Sequence, residues 1–158
     1  MAKKAPKPVP EGMHTVTSVL NFKGDCVKAI EFYQKAFGAT VVGEVAKGPD
    51  NKVMHAMIKI GDSNVMLSDL MGMGKEEDAV GVRNNLWVYV KDCDALFNQA
   101  VGAGAAVTWS PTDQFWGDRV SVVKDPFGNQ WSIATAKWIM TPEEMQKAQE
   151  EWFKTMKK

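Results

Sequence analysis

The stretch HTVTSVLNFKGDCVKAIEFYQKAFGA, residues 14–39, contains a strand pattern, a turn and a helix pattern in direct succession. β-Branched and apolar residues fill 14–22, and Lys23-Gly24-Asp25 then interrupts them, which predicts a strand that ends in a turn. Asp25 is a favoured N-cap residue, apolar side chains follow at helical spacing, and Gly38 is typical of a helix C-terminus. The stretch therefore predicts a strand followed by a helix.

The same order of patterns recurs further along the chain. Three strand patterns separated by turn residues follow the first helix, at 40–46, 52–60 and 64–70. After a linker at 72–81 come a strand at 84–90, a helix from Asp92 to Ala103, and strands at 105–108, 119–123 and 130–135. The two halves thus share one order of elements.

Local sequence repeats support this duplication. Gly24-Asp25-Cys26 before the first helix matches Lys91-Asp92-Cys93 before the second, and Phe37-Gly38-Ala39 matches Ala103-Gly104-Ala105. Such internal similarity predicts two tandem βαβββ modules, at about 13–71 and 83–136, and therefore an α+β fold.

The two ends of the chain lie outside these modules. Residues 1–12 are rich in lysine and proline and predict a flexible arm. In the tail at 137–158, Thr141 as N-cap, Pro142 and the following glutamates predict a helix. Its apolar residues share roughly one face: Met145, Ala148, Trp152 and Met156. This face either packs on the domain or a partner subunit, or gates a pocket.

Composition limits the classes of partner. The 158 residues include 19 basic and 19 acidic side chains, so no net charge attracts nucleic acid or an anionic membrane. No signal-peptide pattern or membrane-spanning run is present, and the only cysteines are Cys26 and Cys93. These features predict a protein of the reducing cytoplasm without a disulfide, and no nucleic-acid or membrane partner.

Three segments carry a family resemblance: AIEFYQKAFGA at 29–39, QFWGDR at 114–119 and DPFGNQWSIAT at 125–135. Together with the two modules they resemble the vicinal oxygen chelate superfamily, which includes glyoxalase I, bleomycin-resistance proteins, fosfomycin-resistance thiol transferases and extradiol dioxygenases. Within it, the chain is most similar to the subgroup described as demethylubiquinone-methyltransferase-like. The resemblance implies a curved mixed sheet around a cavity, with helices on the other face, and a homodimer.

The resemblance also implies where a metal ion would be held. The ligand positions fall on Ser18 (or Thr17, if the first turn holds an extra residue), Leu67, Asn85 and Ser132. Leucine cannot coordinate a metal, and neutral hydroxyl and amide oxygens do not offset the desolvation of a dication. We therefore expect no metal and no other cofactor at these positions. A displaced site that combines His14 or His55 with Asp69 stays open.

A set of side chains is predicted to line the cavity. Strand alternation favours Trp87 and Tyr89, while Trp116 and Arg119 come from a hairpin that the family fold places at the cavity mouth and that suits a planar or anionic ligand. In the alternative, Asp118 and Arg119 pair at the surface. The predicted ligand-binding residues are Ser18, His55, Asn85, Trp87, Gln114, Trp116, Arg119 and Ser132.

These observations predict a metal-independent small-molecule-binding protein of the glyoxalase/bleomycin-resistance type, which sequesters an aromatic or cationic compound. One alternative is a lyase, isomerase or thiol transferase that uses a displaced divalent metal or His55 as general base. Another is a structural or regulatory dimer with a vestigial cavity. The expected partners are a small organic ligand and a second copy of the chain.

Overall fold

A computed structural model describes residues 6, 8–48, 50–69 and 84–156 of the chain. These residues form two compact units: the first unit contains the described residues up to 34 together with 38–69, and the second unit contains 35–37 and 84–156. The predicted linker at 72–81, the last residue of the strand predicted at 64–70, and the Met156 side chain lie outside the described part.

The first unit is a helix and a five-stranded mixed sheet. Its elements are β1 (Ser18–Phe22), α1 (Cys26–Phe37), β2 (Thr40–Val41), β3 (Ala46–Lys47), β4 (Val53–Ile60) and β5 (Ser63–Asp69). The last turn of α1, residues 35–37, belongs to the second unit. The strand order is β1-β5-β4-β2, with β3 also paired to β4, and β1 runs parallel to β5 while the other pairs are antiparallel. The strand predicted at 40–46 is two short strands, with Gly43 at a φ of 71° between them.

Alternation along β1 determines which of its side chains face α1. Leu20 and Phe22 are buried, whereas Val19 is 48% exposed. The Phe22 ring lies 6.5 Å from the ring of Tyr33 on α1. Because alternate residues of a strand point to opposite faces, Ser18 shares the α1 side with Leu20 and Phe22.

The second unit repeats this order and adds a C-terminal helix. Its elements are β6 (Asn85–Tyr89), α2 (Cys93–Gly102), β7 (Ala106–Asp113), β8 (Asp118–Lys124), β9 (Gln130–Ala136) and α3 (Pro142–Met156). The strand order is β6-β9-β8-β7, with β6 parallel to β9 and the other pairs antiparallel. The prediction of an α+β fold with mixed sheets and a C-terminal helix is confirmed.

The core of the second unit is organised around the indole of Trp131. Trp131 is 1% exposed, and its ring lies 4.4 Å from that of Phe37. Its Nε1 donates to Oδ2 of Asp125 at 3.0 Å, and Oδ1 of Asp125 accepts from the backbone N–H of Phe127 and Asn129. The DPFGN turn therefore fixes the buried tryptophan as well as the chain reversal before β9.

Helix starts follow the predicted capping residues at two of three places. Asp92 accepts from the N–H of Ala95 at 3.0 Å, and Thr141 and Glu144 exchange reciprocal hydrogen bonds as a capping box. Asp25 occupies the N-cap position of α1, but its side chain makes no cap hydrogen bond and pairs with Lys28 at 3.0 Å instead. Asp25 is therefore the N-cap residue of α1 by position, as predicted, but its side chain does not cap the helix.

Over the described ranges, none of the helices is both long enough and apolar enough to cross a membrane.

Candidate functional site

α2 covers one face of the sheet of the second unit. The opposite face, which we call the open face, is buried at Val120, Ser132 and Ala134 but exposed along its edge strand β6. On the covered face, Thr135 accepts from the N–H of Cys93 at 2.8 Å, and Cys93 Sγ lies 3.4 Å from Ser121 Oγ. On β6, Trp87 is 45% exposed and Tyr89 is 63% exposed. The aromatic side chains of β6 therefore stand on the open face, opposite the helix.

A cleft of about 500 Å³ lies on this open face. It is lined by Trp87, Tyr89, Trp116 and Asp118. The rings of Trp87 and Tyr89 are 6.0 Å apart with their planes at 49°. The volume lies within the roughly 300–1,000 Å³ typical of small-molecule sites, and aromatic walls around one polar group are typical of them too.

Asp118 is the charged group of this cleft. It is 8% exposed, and its Oδ2 accepts from the hydroxyl of Tyr89 at 2.9 Å and from Nε1 of Trp116 at 3.0 Å. The hydrogen bond to Asp118 is the main cause that raises the pKa of Tyr89, followed by desolvation and the charge of Asp118. Tyr89 therefore stays a neutral donor at physiological pH.

The two donors to Asp118 are uncharged, so they orient its carboxylate without neutralising it. Among the ion pairs that the described ranges contain, none involves Asp118. A nearly buried carboxylate is costly unless a cation approaches it. The cleft thus presents a fixed negative charge between three aromatic rings.

Two of the predicted ligand-binding residues, Trp87 and Trp116, line this cleft. Asn85 and Ser132 lie on the same open face, since Ser132 is the register partner of Trp87. Ser132 Oγ donates to Asn85 Oδ1 at 3.2 Å. These two polar side chains therefore satisfy each other beside the aromatic wall.

The structure places Arg119 away from the cleft. Its NH2 donates to Oδ1 of Asp94 on α2 at 2.8 Å, and its NH1 donates to Oδ1 of Asp113 at 3.0 Å. Arg119 follows Asp118 on β8, so strand alternation turns it to the α2 side. The expectations of a guanidinium beside the cleft and of an Asp118–Arg119 surface pair are both wrong.

Arg119 has a different electrostatic role on the α2 side. Its hydrogen bonds are the main cause that lowers the pKa of Asp94. Gln114, also predicted for the cavity, donates from Nε2 to the carbonyl of Thr112 within its own hairpin. Without Arg119, none of the described residues that line the cleft carries a positive charge that would favour an anionic ligand.

The first unit does not provide the metal ligands that the resemblance implies. Ser18 lies on the α1 side of β1, and Leu67 is fully buried on the same side as Leu20, its register partner. Strand alternation places the alternative position, Thr17, on the face of the sheet opposite α1, as expected if the turn holds an extra residue. In the second unit the donors are the paired amide and hydroxyl of Asn85 and Ser132. This donor set does not fit a divalent metal.

The displaced site with Asp69 does not fit either. Its Oδ1 accepts from the N–H groups of Gly24 and Cys26, and its Oδ2 accepts from the N–H of Val53. His55 is exposed and lies on the opposite face of the sheet, because Ala56 beside it is buried towards α1. Across the described ranges, no three His, Cys, Asp or Glu side chains are grouped as metal ligands.

Asp118 is the functional candidate that the sequence-based set of ligand-binding residues leaves out. The sequence places it one residue from Arg119, which suggests a pair of opposite charges. Strand parity separates the two: residues 87 and 89 share a face with residue 118 through the β6-β9-β8 register. That register was the signal that could have placed Asp118 with the tryptophans.

Comparison with known proteins gives the same fold. A family model described as the glyoxalase/bleomycin resistance protein/dioxygenase superfamily matches residues 15–133. The chain is 41% identical over 130 residues to the uncharacterized protein Rv0887c of Mycobacterium tuberculosis, a match that spans 78% of this chain and 76% of the other.

Two solved structures illustrate the likeness. TioX from Micromonospora sp. ML1 has a TM-score of 0.61 and 24% identity, over 77% of this chain and 98% of the other. A putative 3-demethylubiquinone-9 3-methyltransferase, PhnB protein, from Bacillus cereus has a TM-score of 0.56 and 16% identity, over 78% of this chain and 100% of the other. At these identities both structures support the fold alone.

Proposed function

The chain belongs to the glyoxalase/bleomycin resistance protein/dioxygenase superfamily, and from this premise we propose that its second unit binds a planar aromatic cation without the help of a metal ion. The observation that carries the proposal is the carboxylate of Asp118, 8% exposed and free of a basic partner among the described residues, in a cleft walled by Trp87, Tyr89 and Trp116.

Cationic ligands gain from both features of this cleft. The faces of tryptophan and tyrosine carry negative potential and attract a cation that lies over the ring. The carboxylate adds a charge-assisted contact, and its orientation is already set by the donors Tyr89 and Trp116. Because these donors hold the carboxylate before a ligand arrives, less ordering is required on binding.

The absence of a metal from the proposal is supported by Asn85 and Ser132, which stand at the inherited ligand positions of the second unit and already bond to each other. The enzyme hypothesis with His55 as general base stays a prediction, and no contact among the described residues of the first unit adds support to it. Sequestration is therefore the mechanism that we propose.

The test compares three planar ligands of similar shape on the full-length chain: N-methylacridinium, neutral acridine and anthracenecarboxylate. We expect the wild-type protein to bind the cation most tightly in calorimetric titration. Asp118→Asn keeps an oxygen acceptor for Tyr89 and Trp116 but removes the charge. It should weaken cation binding about tenfold, as expected for the loss of one charge-assisted contact of roughly 1.5 kcal/mol, and leave acridine binding unchanged.

Asp113→Asn is the matched control, since it removes the same charge from an exposed carboxylate of the same unit. Its affinity for the cation should equal that of the wild-type protein. Repeating the titration in excess chelator should change nothing. The proposal fails if the anion binds best, if Asp118→Asn has no effect, if none of the three binds, or if the purified chain holds a stoichiometric metal that binding requires.

A further inference from the structure

The hairpin between β7 and β8 connects the cleft to the C-terminal helix through a series of ring contacts. The rings of Phe115 and Trp116 meet edge to face, with centroids 5.1 Å apart and planes at 88°. The Phe115 ring also lies 5.4 Å from that of Trp152 on α3, with the two planes at 37°. Phe115 therefore contacts both an indole that lines the cleft and an indole of the last helix.

A second set of contacts fixes the chain that leads to α3. The carbonyl oxygen of Gly117, at the tip of the hairpin, accepts from the N–H groups of Lys137 and Trp138, each at 3.0 Å. Gly117 has a φ of 102°, and a Cβ there would lie 2.5 Å from the carbonyl oxygen of Trp138. The hairpin tip and residues 137–138 are thus in direct backbone contact, which only glycine permits.

The helix itself is only lightly covered by the rest of the second unit. Met145 and Ala148 are partly buried, Trp152 is 37% exposed and Phe153 is 49% exposed. The contact between the rings of Trp152 and Phe115 joins this lightly covered helix to the hairpin. The sequence pattern of this helix is compatible with packing on the domain or a partner subunit and with gating of a pocket.

We propose that Phe115 and Trp152 are positioning residues of the cleft: α3 stacks on Phe115, which holds the indole of Trp116 in the orientation that hydrogen-bonds Asp118. The inference deepens the proposed function, because Trp116 and Asp118 are two of the four residues that line the cleft. The face of α3 would then do both: it packs on the domain and, through Phe115, it acts on the cleft.

The physical argument concerns the freedom of the Trp116 side chain. Edge-to-face contact with Phe115 restricts the indole, and the Nε1 to Oδ2 distance of 3.0 Å depends on that restriction. Removing the Trp152 ring deprives Phe115 of this contact, so the rings of Phe115 and Trp116 can sample further rotamers. A ligand must then order Trp116 on binding, which weakens its affinity by about threefold to tenfold.

The experiment measures the indole N–H of Trp116 by NMR in the full-length chain, with its signal identified by its absence in Trp116→Phe. In Trp152→Ala we expect this proton to exchange with solvent at least about threefold faster than in wild type, because its hydrogen bond opens more often. Trp152→Phe retains an aromatic ring against Phe115 and should restore slow exchange. Affinity for N-methylacridinium should follow the same order.

Phe153→Ala is the matched control, because Phe153 is an exposed aromatic residue of the same helix that touches Trp152 and makes no ring contact with Phe115. It should leave both the exchange rate and the affinity unchanged. Should Trp152→Ala fail to fold, Trp152→Leu, which keeps apolar bulk without a ring, gives the same comparison.

Each outcome separates this inference from the proposed function. Unchanged indole exchange in Trp152→Ala overturns the positioning role whether or not any ligand binds. Faster exchange in a protein that binds none of the three acridine-related probes supports the positioning role and overturns the proposed function. An equal effect of Phe153→Ala overturns the inference, because the helix as a whole would then be responsible.

Discussion

Two backbone N–H groups at the start of α1 and one at the start of β4 donate to the carboxylate of Asp69, whereas a single N–H at the start of α2 donates to the hydroxyl of Thr135. Both residues lie near the end of the last strand of their unit. Thr135 also donates to the carbonyl of Val90 at 2.9 Å. The acceptor that comes from the last strand is thus a carboxylate in the first unit and a neutral hydroxyl in the second unit, where the local cap Asp92 supplies the carboxylate.

The open faces of the two units differ in the opposite sense, because here the second unit carries the charged group. In the second unit that face carries the cleft formed by Trp87, Tyr89, Trp116 and Asp118. In the first unit the corresponding face carries smaller polar groups, such as Asn21, whose Oδ1 accepts from Ser68 Oγ at 3.0 Å. A duplicated backbone therefore does not imply duplicated chemistry, and the differences between the units can be tested one pair at a time.

The largest expected difference concerns the two helix starts. Asp69→Ala leaves three N–H groups without their acceptor, two of them in buried hydrogen bonds, and should lower the free energy of unfolding by about 3 kcal/mol. Thr135→Val removes one accepted and one donated hydrogen bond and should cost about 1 kcal/mol. Urea unfolding followed by circular dichroism measures both values.

Asp69→Asn separates the contribution of the negative charge to stability from that of the hydrogen bonds. Its amide retains one oxygen for Gly24 and Cys26 but turns a donor group towards the N–H of Val53, so it should restore only part of the stability. Equal losses in Asp69→Ala and Thr135→Val would show that the carboxylate gives the first unit nothing beyond what a hydroxyl gives the second.

The roles of Asp69 and Arg119 also show where inference from sequence ends. Turn residues and the strand and helix periods predicted the element order, Thr141 as the N-cap of the last helix, and the aromatic wall at Trp87, because these depend on neighbours along the chain. The partners of Asp69 lie 45, 43 and 16 residues away, and periodicity carries no information on them.

The side of a strand was equally hard to predict. The face on which Ser18 lies depends on the length of the turn after β1. One extra residue in that turn places Ser18 on the α1 side instead of the open face. Arg119 was placed by its neighbours in QFWGDR, although adjacent residues of a strand point to opposite faces. Charge, size and turn chemistry are local, whereas the face of a strand depends on its pairing across the sheet.

A smaller difference is expected between the two buried thiols. Burial raises the pKa of the Cys26 thiol to about 12, with a further contribution from the charge of Asp69. Burial also raises the pKa of Cys93, but hydrogen bonding with Ser121 opposes part of the rise. The unfolded thiols ionise near pH 8.5, so each thiol makes stability fall as the pH rises from about 8.5 towards its folded pKa.

Cys26→Ala should therefore flatten the alkaline loss of stability more than Cys93→Ala. For Cys26 the loss between about pH 8.5 and pH 10 amounts to roughly 2 kcal/mol at full effect. Urea unfolding at both pH values under reducing conditions measures it in each single variant. Identical slopes in the two variants would contradict the stronger effect in the first unit.

The smallest expected effect concerns Tyr89, whose hydroxyl donates to the carboxylate of Asp118 on the open face of the second unit. Its pKa is raised chiefly by the hydrogen bond to Asp118, so the folded protein keeps the phenol protonated above the pH, near 10, at which the unfolded chain loses the proton. The stability that this bond contributes is present below about pH 10 and is lost as the pH rises further.

Tyr89→Phe should cost about 0.5 kcal/mol at neutral pH, because the side chain is 63% exposed and water replaces part of the bond. Above about pH 10 the difference in unfolding free energy between wild type and variant should shrink. If the phenolate were the form that Asp118 binds, this difference would grow instead. Ultraviolet titration of the wild-type and Tyr89→Phe proteins measures the ionisation directly. A Tyr89 that ionises at or below the ordinary tyrosine pKa would mean that Asp118 does not accept from it, and the oriented carboxylate that distinguishes the second unit from the first would be lost.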